Sequence, residues 1–135
     1  MGAFRDSKHA ADTIGGFFRE MATIQAETTQ FGGSGLVLAY SLKDPDLRLV
    51  LDARAKPVPG KIYEVFVDDP NAPQPVTEFT LLADDFDKLY KGELEALSML
   101  SKGTLKAEGD VGLAMRLLPA QLRSIPLYKK YRETH

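Results

Sequence analysis

The sequence predicts an α+β fold, with helices covering one face of a mostly antiparallel five-stranded sheet. Four segments of period-two apolar alternation follow one another too closely for a run of crossover units. Helical periodicity occurs before and after this block, and 135 residues suit one domain spanning 1–135. The predicted order is an N-terminal helix, four strands, two short helices, a fifth strand and a C-terminal helical segment, at 6–29, 35–82, 84–102, 104–109 and 110–135.

The first element is predicted as a helix from about Ser7 to Thr28, with Asp6 or Ser7 as its cap. Its apolar stripe has helical spacing and consists of Ile14, Phe17, Phe18, Met21 and Ile24. Gly15 and Gly16 together cost this helix roughly 2 kcal/mol relative to alanines. We expect them to allow close packing on a neighbour. The alternative is a break that lets the helix flex over a cavity.

The first two strands are predicted to form a hairpin. After a glycine-rich loop at 30–35, apolar residues alternate from Leu36 to Leu42 and again from Leu47 to Leu51. A turn at 43–46 joins them, with Pro45 presetting its backbone angle. The register places both leucine rows on one face of the sheet.

Two further strands are predicted at Lys61–Asp68 and Val76–Leu82, the latter bringing Phe79 and Leu81 inward. The segment between them, 68–75, contains three prolines and no apolar period, so it is predicted as a surface loop.

Two short helices follow, and Asp84 or Asp85 is expected to cap the first of them. The second is predicted at Glu93–Lys102 and ends at Gly103, in the left-handed position where glycine is favoured. This helical segment permits a crossover connection between the fourth and fifth strands.

The segment from Gly103 to Pro126 begins as a strand, pivots at Gly109-Asp110 and becomes a helix that Asp110 can cap. Its apolar face consists of Leu113, Ala114, Leu117 and Leu118. Pro119 predicts a kink or an end of this helix. Such a helix either completes a core or closes a cavity for an apolar guest.

Composition excludes several classes of function. The net charge of −2 and pI of about 5.7 give no electrostatic drive toward nucleic acid. Cysteine is absent, which excludes disulfides and thiolate metal sites but does not fix the compartment. The first residues show no apolar signal core and no run approaches transmembrane length, so a soluble cytoplasmic protein is expected. His9 and His135 lack metal-compatible spacing, and Asp84, Asp85 and Asp87 are interpreted as cap and first-turn residues. We therefore predict no enzyme and no metal site.

Two local signatures resemble the sterol carrier protein type-two family, the small lipid-transfer domains. The first signature runs from Thr80 to Leu94 and includes Asp84, Asp85, Phe86, Leu89 and Gly92. The second is the glycine, strand, Gly-Asp and leucine-methionine helix sequence from Gly103 to Leu117. The order of elements is similar along nearly the whole chain.

The resemblance implies a five-stranded sheet whose covered face and helices enclose an apolar tunnel. It also implies binding of sterols, fatty acids, acyl-CoA or other long-chain lipids without a cofactor. A peroxisomal signal is absent and the tail after Pro119 is longer and more basic, so a prokaryotic member that binds a fatty acid, acyl-CoA or quinone is expected. The predicted tunnel wall is Phe17, Met21, Leu38, Tyr40, Leu49, Leu51, Phe66, Phe79, Leu105, Leu113, Ala114, Leu117 and Leu118.

Alternatives stay open from the residues alone. The same wall residues would make an ordinary filled core, since a hollow core has the same composition. A second hypothesis is an interaction or dimerisation module accessory to a lipid-handling enzyme, with an exposed patch of Leu118, Leu122, Ile125 and Leu127. A monomer or weak homodimer is expected, with transient membrane-surface contact through Lys129, Lys130 and Arg132 as a further possibility.

Overall fold

The computed structural model describes residues 2–23, 36–54, 63–110, 112, 115 and 118–135. The described helices are α1 (Ser7–Met21), α2 (Ala83–Tyr90), α3 (Ala96–Lys102) and α4 (Leu118–Arg132). The described strands are β1 (Val37–Lys43), β2 (Leu47–Asp52), β3 (Glu64–Val67), β4 (Thr77–Leu82) and β5 (Lys106–Gly109). The predicted α+β class and the element order are confirmed.

The five strands form one sheet in the order β3-β2-β1-β4-β5. Strand β1 pairs antiparallel with β2 and parallel with β4, and β5 pairs antiparallel with β4. The predicted crossover between the fourth and fifth strands is therefore wrong, because α2 and α3 return the chain in the antiparallel direction. The parallel pair is formed by β1 and β4. It arises because the chain passes from β3, at one edge of the sheet, to β4, which lies on the other side of β1 from β2.

The predicted hairpin is confirmed. In the β1–β2 register, Leu38 pairs with Leu51 and Tyr40 with Leu49, so the two apolar rows share one face. The opposite face carries a smaller cluster of Val37, Ala39 and Val50, against which Phe66 and Ala72 pack. The proline-containing loop thus contributes Ala72 to covering this second face.

Helix α1 begins as predicted, since the Asp6 carboxylate accepts a hydrogen bond from the His9 amide at 2.8 Å. It is shorter than predicted: it ends at Met21, and Ile24 lies outside the described residues. A Cβ atom on Gly15 would lie 2.9 Å from Val67 Cγ2, and one on Gly16 would lie 2.5 Å from Tyr131 Oη. The glycines therefore serve close packing within a continuous helix, and the predicted alternative of a flexible break is wrong.

Helix α2 follows β4 directly, so Leu82 occupies its N-cap position and no side chain caps it. The predicted cap by Asp84 or Asp85 is wrong, because both lie inside the first turn, where their charges favour the helix dipole. Asp84 Oδ1 instead accepts the Ala3 amide at 2.8 Å. Gly103 has φ of 79° at the end of α3 and confirms the predicted left-handed position.

Helix α4 contains two prolines. Pro119 lies in its first turn, where a missing amide hydrogen costs nothing. Because α4 begins at Leu118 and residues 116–117 lie outside the described residues, the predicted end or kink near Pro119 stays a prediction. Pro126 lies inside the helix. The packed aromatic rings of Phe17, Phe18 and Phe86 fill the core between α1, α2 and the sheet, with centroid separations of 5.3 to 6.2 Å between neighbours.

Candidate functional site

An apolar pocket of about 70 Å³ lies between the β1-β4-β5 part of the sheet and the helices. The residues lining it come from three strands, from α2 and α3, from the C-terminal helical segment and, in the case of Leu105, from the connection between α3 and β5. They are Leu38, Tyr40, Phe79, Leu89, Ala96, Leu97, Leu100, Leu105, Ala107, Met115, Leu118 and Gln121.

The floor of the pocket follows from one transverse row of the sheet. Leu49, Tyr40, Phe79 and Ala107 are register partners on successive strands from β2 to β5. The rings of Tyr40 and Phe79 stack with centroids 5.4 Å apart, whereas the last position carries only a methyl group. Because the row ends in this small side chain, space remains above the sheet at its β5 end.

The side of the pocket opposite the sheet is formed by α2, α3 and the C-terminal helical segment, and this side is partly open. Met115 precedes α4, whereas Leu118 and Gln121 are three residues apart within α4, which places these two on one side of that helix. The side chains of Leu97 and Met115 are 50% and 42% exposed, so the pocket reaches solvent between them. Met99 is the only buried residue of α3, all of which is described.

The polar groups near the pocket are neutral. Tyr40 Oη and Tyr90 Oη are 2.7 Å apart, and burial raises the pKa of both phenols above the ordinary value. Gln121 Nε2 donates to the Leu89 carbonyl oxygen at 3.3 Å. None of the described lining residues carries a charge. The described lining residues thus form an uncharged, mostly apolar surface that suits an apolar molecule.

Five predicted wall residues lie together in this pocket, namely Leu38, Tyr40, Phe79, Leu105 and Leu118. Four others belong to the filled core beneath α1 rather than to the pocket: Phe17, Met21, Leu49 and Leu51. Their exposed fractions are 4% or less, and α1 covers this half of the sheet.

Phe66 is not brought to the pocket, because it packs on the second face with Val37, Ala39 and Val50. The period-two alternation of β3 already separates Phe66 from its neighbours Val65 and Val67. Leu113, Ala114 and Leu117 lie outside the described residues.

The sequence-based prediction missed seven lining residues: Leu89, Ala96, Leu97, Leu100, Ala107, Met115 and Gln121. The apolar stripe of the α3 region contains a signal for Leu97 and Leu100, but that signal is the same for a core position and a pocket wall. Gln121 gives no signal, because a polar residue in a helix is ordinarily solvated.

The predicted interaction patch is only partly exposed. Leu122 is 54% exposed, but Leu118 lines the pocket and Leu127 packs against the core. Ile125 lies close to Gly92, since a Cβ atom added to that glycine would be 3.2 Å from Ile125 Cγ2.

Asp87 is buried and lies beyond the first turn of α2, so the predicted cap and first-turn role is wrong for this residue. Its Oδ1 accepts Tyr128 Oη at 2.6 Å and Arg132 Nε at 3.0 Å, and its Oδ2 lies 2.9 Å from Lys91 Nζ. Arg132 also donates to the Ala3 carbonyl at 2.9 Å. Burial, followed by the hydrogen bond to Asp87, raises the pKa of Tyr128. This cluster joins α2 to α4, so Arg132 is committed to a structural contact.

The histidines also have structural contacts. His9 Nδ1 accepts the Arg5 amide at 3.1 Å, which makes Nε2 the protonated nitrogen, 3.1 Å from the His135 carbonyl. Within the described ranges, no group of three potential metal ligands occurs, and no helix is long and apolar enough to cross a membrane.

The fold and the pocket define a class: small α+β domains that enclose an apolar pocket between one sheet face and its helices. The model of the SCP-2 sterol transfer family matches residues 23–120, and the chain belongs to this family. The predicted resemblance is therefore confirmed. A comparison with curated protein sequences gives no significant match.

Solved structures share the fold at low sequence identity. The sterol carrier protein domain 2 of Helicoverpa armigera is 18% identical, with a TM-score of 0.62 over 86% of this chain and 91% of that chain. A conserved hypothetical protein of Thermus thermophilus, described as possibly a sterol carrier protein, is 15% identical, with a TM-score of 0.65 over 97% and 92%. The UbiJ-SCP2 ubiquinone synthesis protein is 14% identical, with a TM-score of 0.57 over 82% and 91%.

Proposed function

We propose that this chain binds and carries an apolar ligand, such as a long-chain lipid, in the pocket between the sheet and the helices, without catalysis. The observation that carries the proposal is the uncharged apolar pocket above Phe79 and Ala107, in a chain of a sterol transfer family. Each methylene that leaves water for such a wall contributes about 0.8 kcal/mol. A lipid therefore needs only apolar walls and an opening.

Ligand entry requires the pocket to widen. The present volume of about 70 Å³ is below the roughly 300–1,000 Å³ of pockets that hold drug-sized ligands. Helix α3 is the wall element that we expect to move, because it has seven residues and buries only Met99. Its displacement would enlarge the opening that already exists beside Leu97 and Met115.

Native mass spectrometry of the freshly purified protein, followed by organic extraction, tests the proposal. We expect a mass increment that extraction removes, and uptake of a neutral apolar fluorophore by the extracted protein. In the variant Ala107→Phe, a ring fills the space above the sheet, so uptake should fall at least about tenfold, equivalent to about 1.4 kcal/mol. The matched control is Lys106→Phe, which adds the same ring on an exposed side chain of the same strand.

A bare mass without probe uptake would refute the proposal, as would equal uptake by Ala107→Phe and Lys106→Phe. The same spectra address the second candidate, an accessory interaction module, which the 54% exposure of Leu122 favours. A dimer mass that depends on concentration and is lost in Leu122→Asp would support that candidate.

A further inference from the structure

Gln121 is the side chain in the pocket wall whose hydrogen bonding is incomplete. Its Nε2 donates to the Leu89 carbonyl oxygen at 3.3 Å, while its Oε1 is buried and has no partner within the described part of the chain. The Leu89 carbonyl can only accept, so the amide nitrogen must face it. The orientation of the amide is thereby fixed, and the unpaired atom is an acceptor.

A buried acceptor without a donor destabilises the state in which it is buried. A molecule that enters the widened pocket and presents an O–H or N–H group to Gln121 Oε1 removes this penalty. An ether or a hydrocarbon of the same length does not. The pocket therefore distinguishes ligands by hydrogen-bond donation in addition to apolar area.

The sign of the ligand's charge is constrained by the same wall. No described lining residue is a lysine, arginine or histidine, and eleven of the twelve lining side chains are aliphatic or aromatic. A carboxylate at Gln121 would face an amide oxygen in an apolar surrounding, and none of the described lining residues supplies a cation to compensate its lost hydration. A neutral hydroxyl carries no such penalty.

We propose that Gln121 is a specificity-determining residue, whose Oε1 accepts a hydrogen bond from the hydroxyl group of a neutral amphiphile. This inference rests on the proposed function, because it assumes that the pocket is the binding site. It favours a long-chain alcohol or a phenolic lipid over an ionised fatty acid, one of the three ligand classes expected from the sequence.

Competition against a bound neutral apolar fluorophore tests the inference with three ligands of equal chain length: dodecanol, dodecyl methyl ether and dodecanoate. We expect the wild-type protein to prefer dodecanol about tenfold over the ether, the equivalent of one net hydrogen bond, and to bind dodecanoate more weakly than dodecanol. Gln121→Met, which keeps the length of the side chain but removes the acceptor, should bind dodecanol and the ether equally. The control Arg123→Met changes an exposed polar residue of α4 and should retain the preference.

Equal affinity of the wild-type protein for dodecanol and its ether would overturn the role of Gln121, since water would then satisfy Oε1 as well as a ligand does. Preference for dodecanoate would overturn it too. In both cases the pocket still binds lipid, so the proposed function stands. If the fluorophore itself does not bind to the wild-type protein, the proposed function fails and this inference fails with it. Should Gln121→Met not fold, the wild-type comparison of alcohol and ether still decides.

Discussion

Replacement of Asp87 by asparagine should lower the free energy of unfolding by much more than the same replacement at a surface position of a helix. The Asp87 carboxylate is shared by the hydroxyl of Tyr128, the guanidinium of Arg132 and the ammonium of Lys91, at 2.6, 3.0 and 2.9 Å. An amide keeps one acceptor but removes the charge that both cations face, and its NH₂ group would oppose Lys91 or Arg132. The side chain of Arg132 is 12% exposed, so water cannot replace the lost partner fully.

Removal of one partner from a buried ionic cluster costs about 3 kcal/mol or somewhat more. With an unfolding entropy of about 2.1 cal/mol/K per residue over 135 residues, this corresponds to a fall in Tm of about 10 °C. Thermal unfolding followed by circular dichroism measures it. Tyr128→Phe should cost about 1 to 2 kcal/mol, because Asp87 then keeps both cations.

The control is Asp85→Asn, a half-buried carboxylate in the first turn of the same helix, where loss of the dipole interaction costs no more than about 1 kcal/mol. In the double variant Asp87→Asn/Tyr128→Phe, the cost should be less than the sum of the two single costs, because Tyr128 donates a weaker hydrogen bond to the neutral amide than to the carboxylate, so its loss costs less. Equal Tm values for Asp87→Asn and Asp85→Asn, or strict additivity in the double variant, would refute the account of Asp87 as the link between α2 and α4.

Two further predictions concern the packing beneath α1 and the buried phenols. Gly16→Ala should destabilise the protein by about 1 to 3 kcal/mol in denaturant titration, because the added Cβ meets Tyr131 Oη. The double variant Gly16→Ala/Tyr131→Phe should recover much of the lost stability. A Gly16→Ala variant more stable than the wild type would contradict the close contact. All five tyrosines have a pKa raised above the ordinary value of 10, chiefly by burial. Above that pH the unfolded chain loses protons that the folded chain keeps, so stability should be unaffected by the phenols below pH 10 and should fall above it, by up to about 1.4 kcal/mol per pH unit for each of the four buried tyrosines and by less for the more exposed Tyr131. Tyr63→Phe should reduce this slope by one tyrosine's share, and an unchanged slope would count against the burial of Tyr63 as its cause.

Much of the fold followed from local rules. The alternation on both sides of Pro45 was sufficient for the hairpin, because one register alone puts both leucine rows on one face. The end of α3 at Gly103 also followed, because glycine is favoured in the left-handed backbone conformation that ends a helix. The pairing of β1 with β4 did not follow, since period-two patterns specify faces and not neighbours. The role of Asp87 did not follow either, because Tyr128 and Arg132 lie more than forty residues away and no local pattern links them.

The choice between a filled and a hollow core, which composition left open, is resolved differently in the two halves of the sheet. Beneath α1, large rings meet: Phe17 lies 5.0 Å from Tyr128 and Phe18 lies 6.0 Å from Tyr40, centroid to centroid. Toward β5 the transverse row ends in Ala107, and the covering helix α3 buries only Met99. The half with the packed rings is the stable core, while the half with a small floor residue and a helix that buries one side chain is where we propose that a guest enters. A mutation that enlarges Ala107 should therefore affect ligand uptake without loosening the aromatic core, whereas changes around Asp87 should affect stability first.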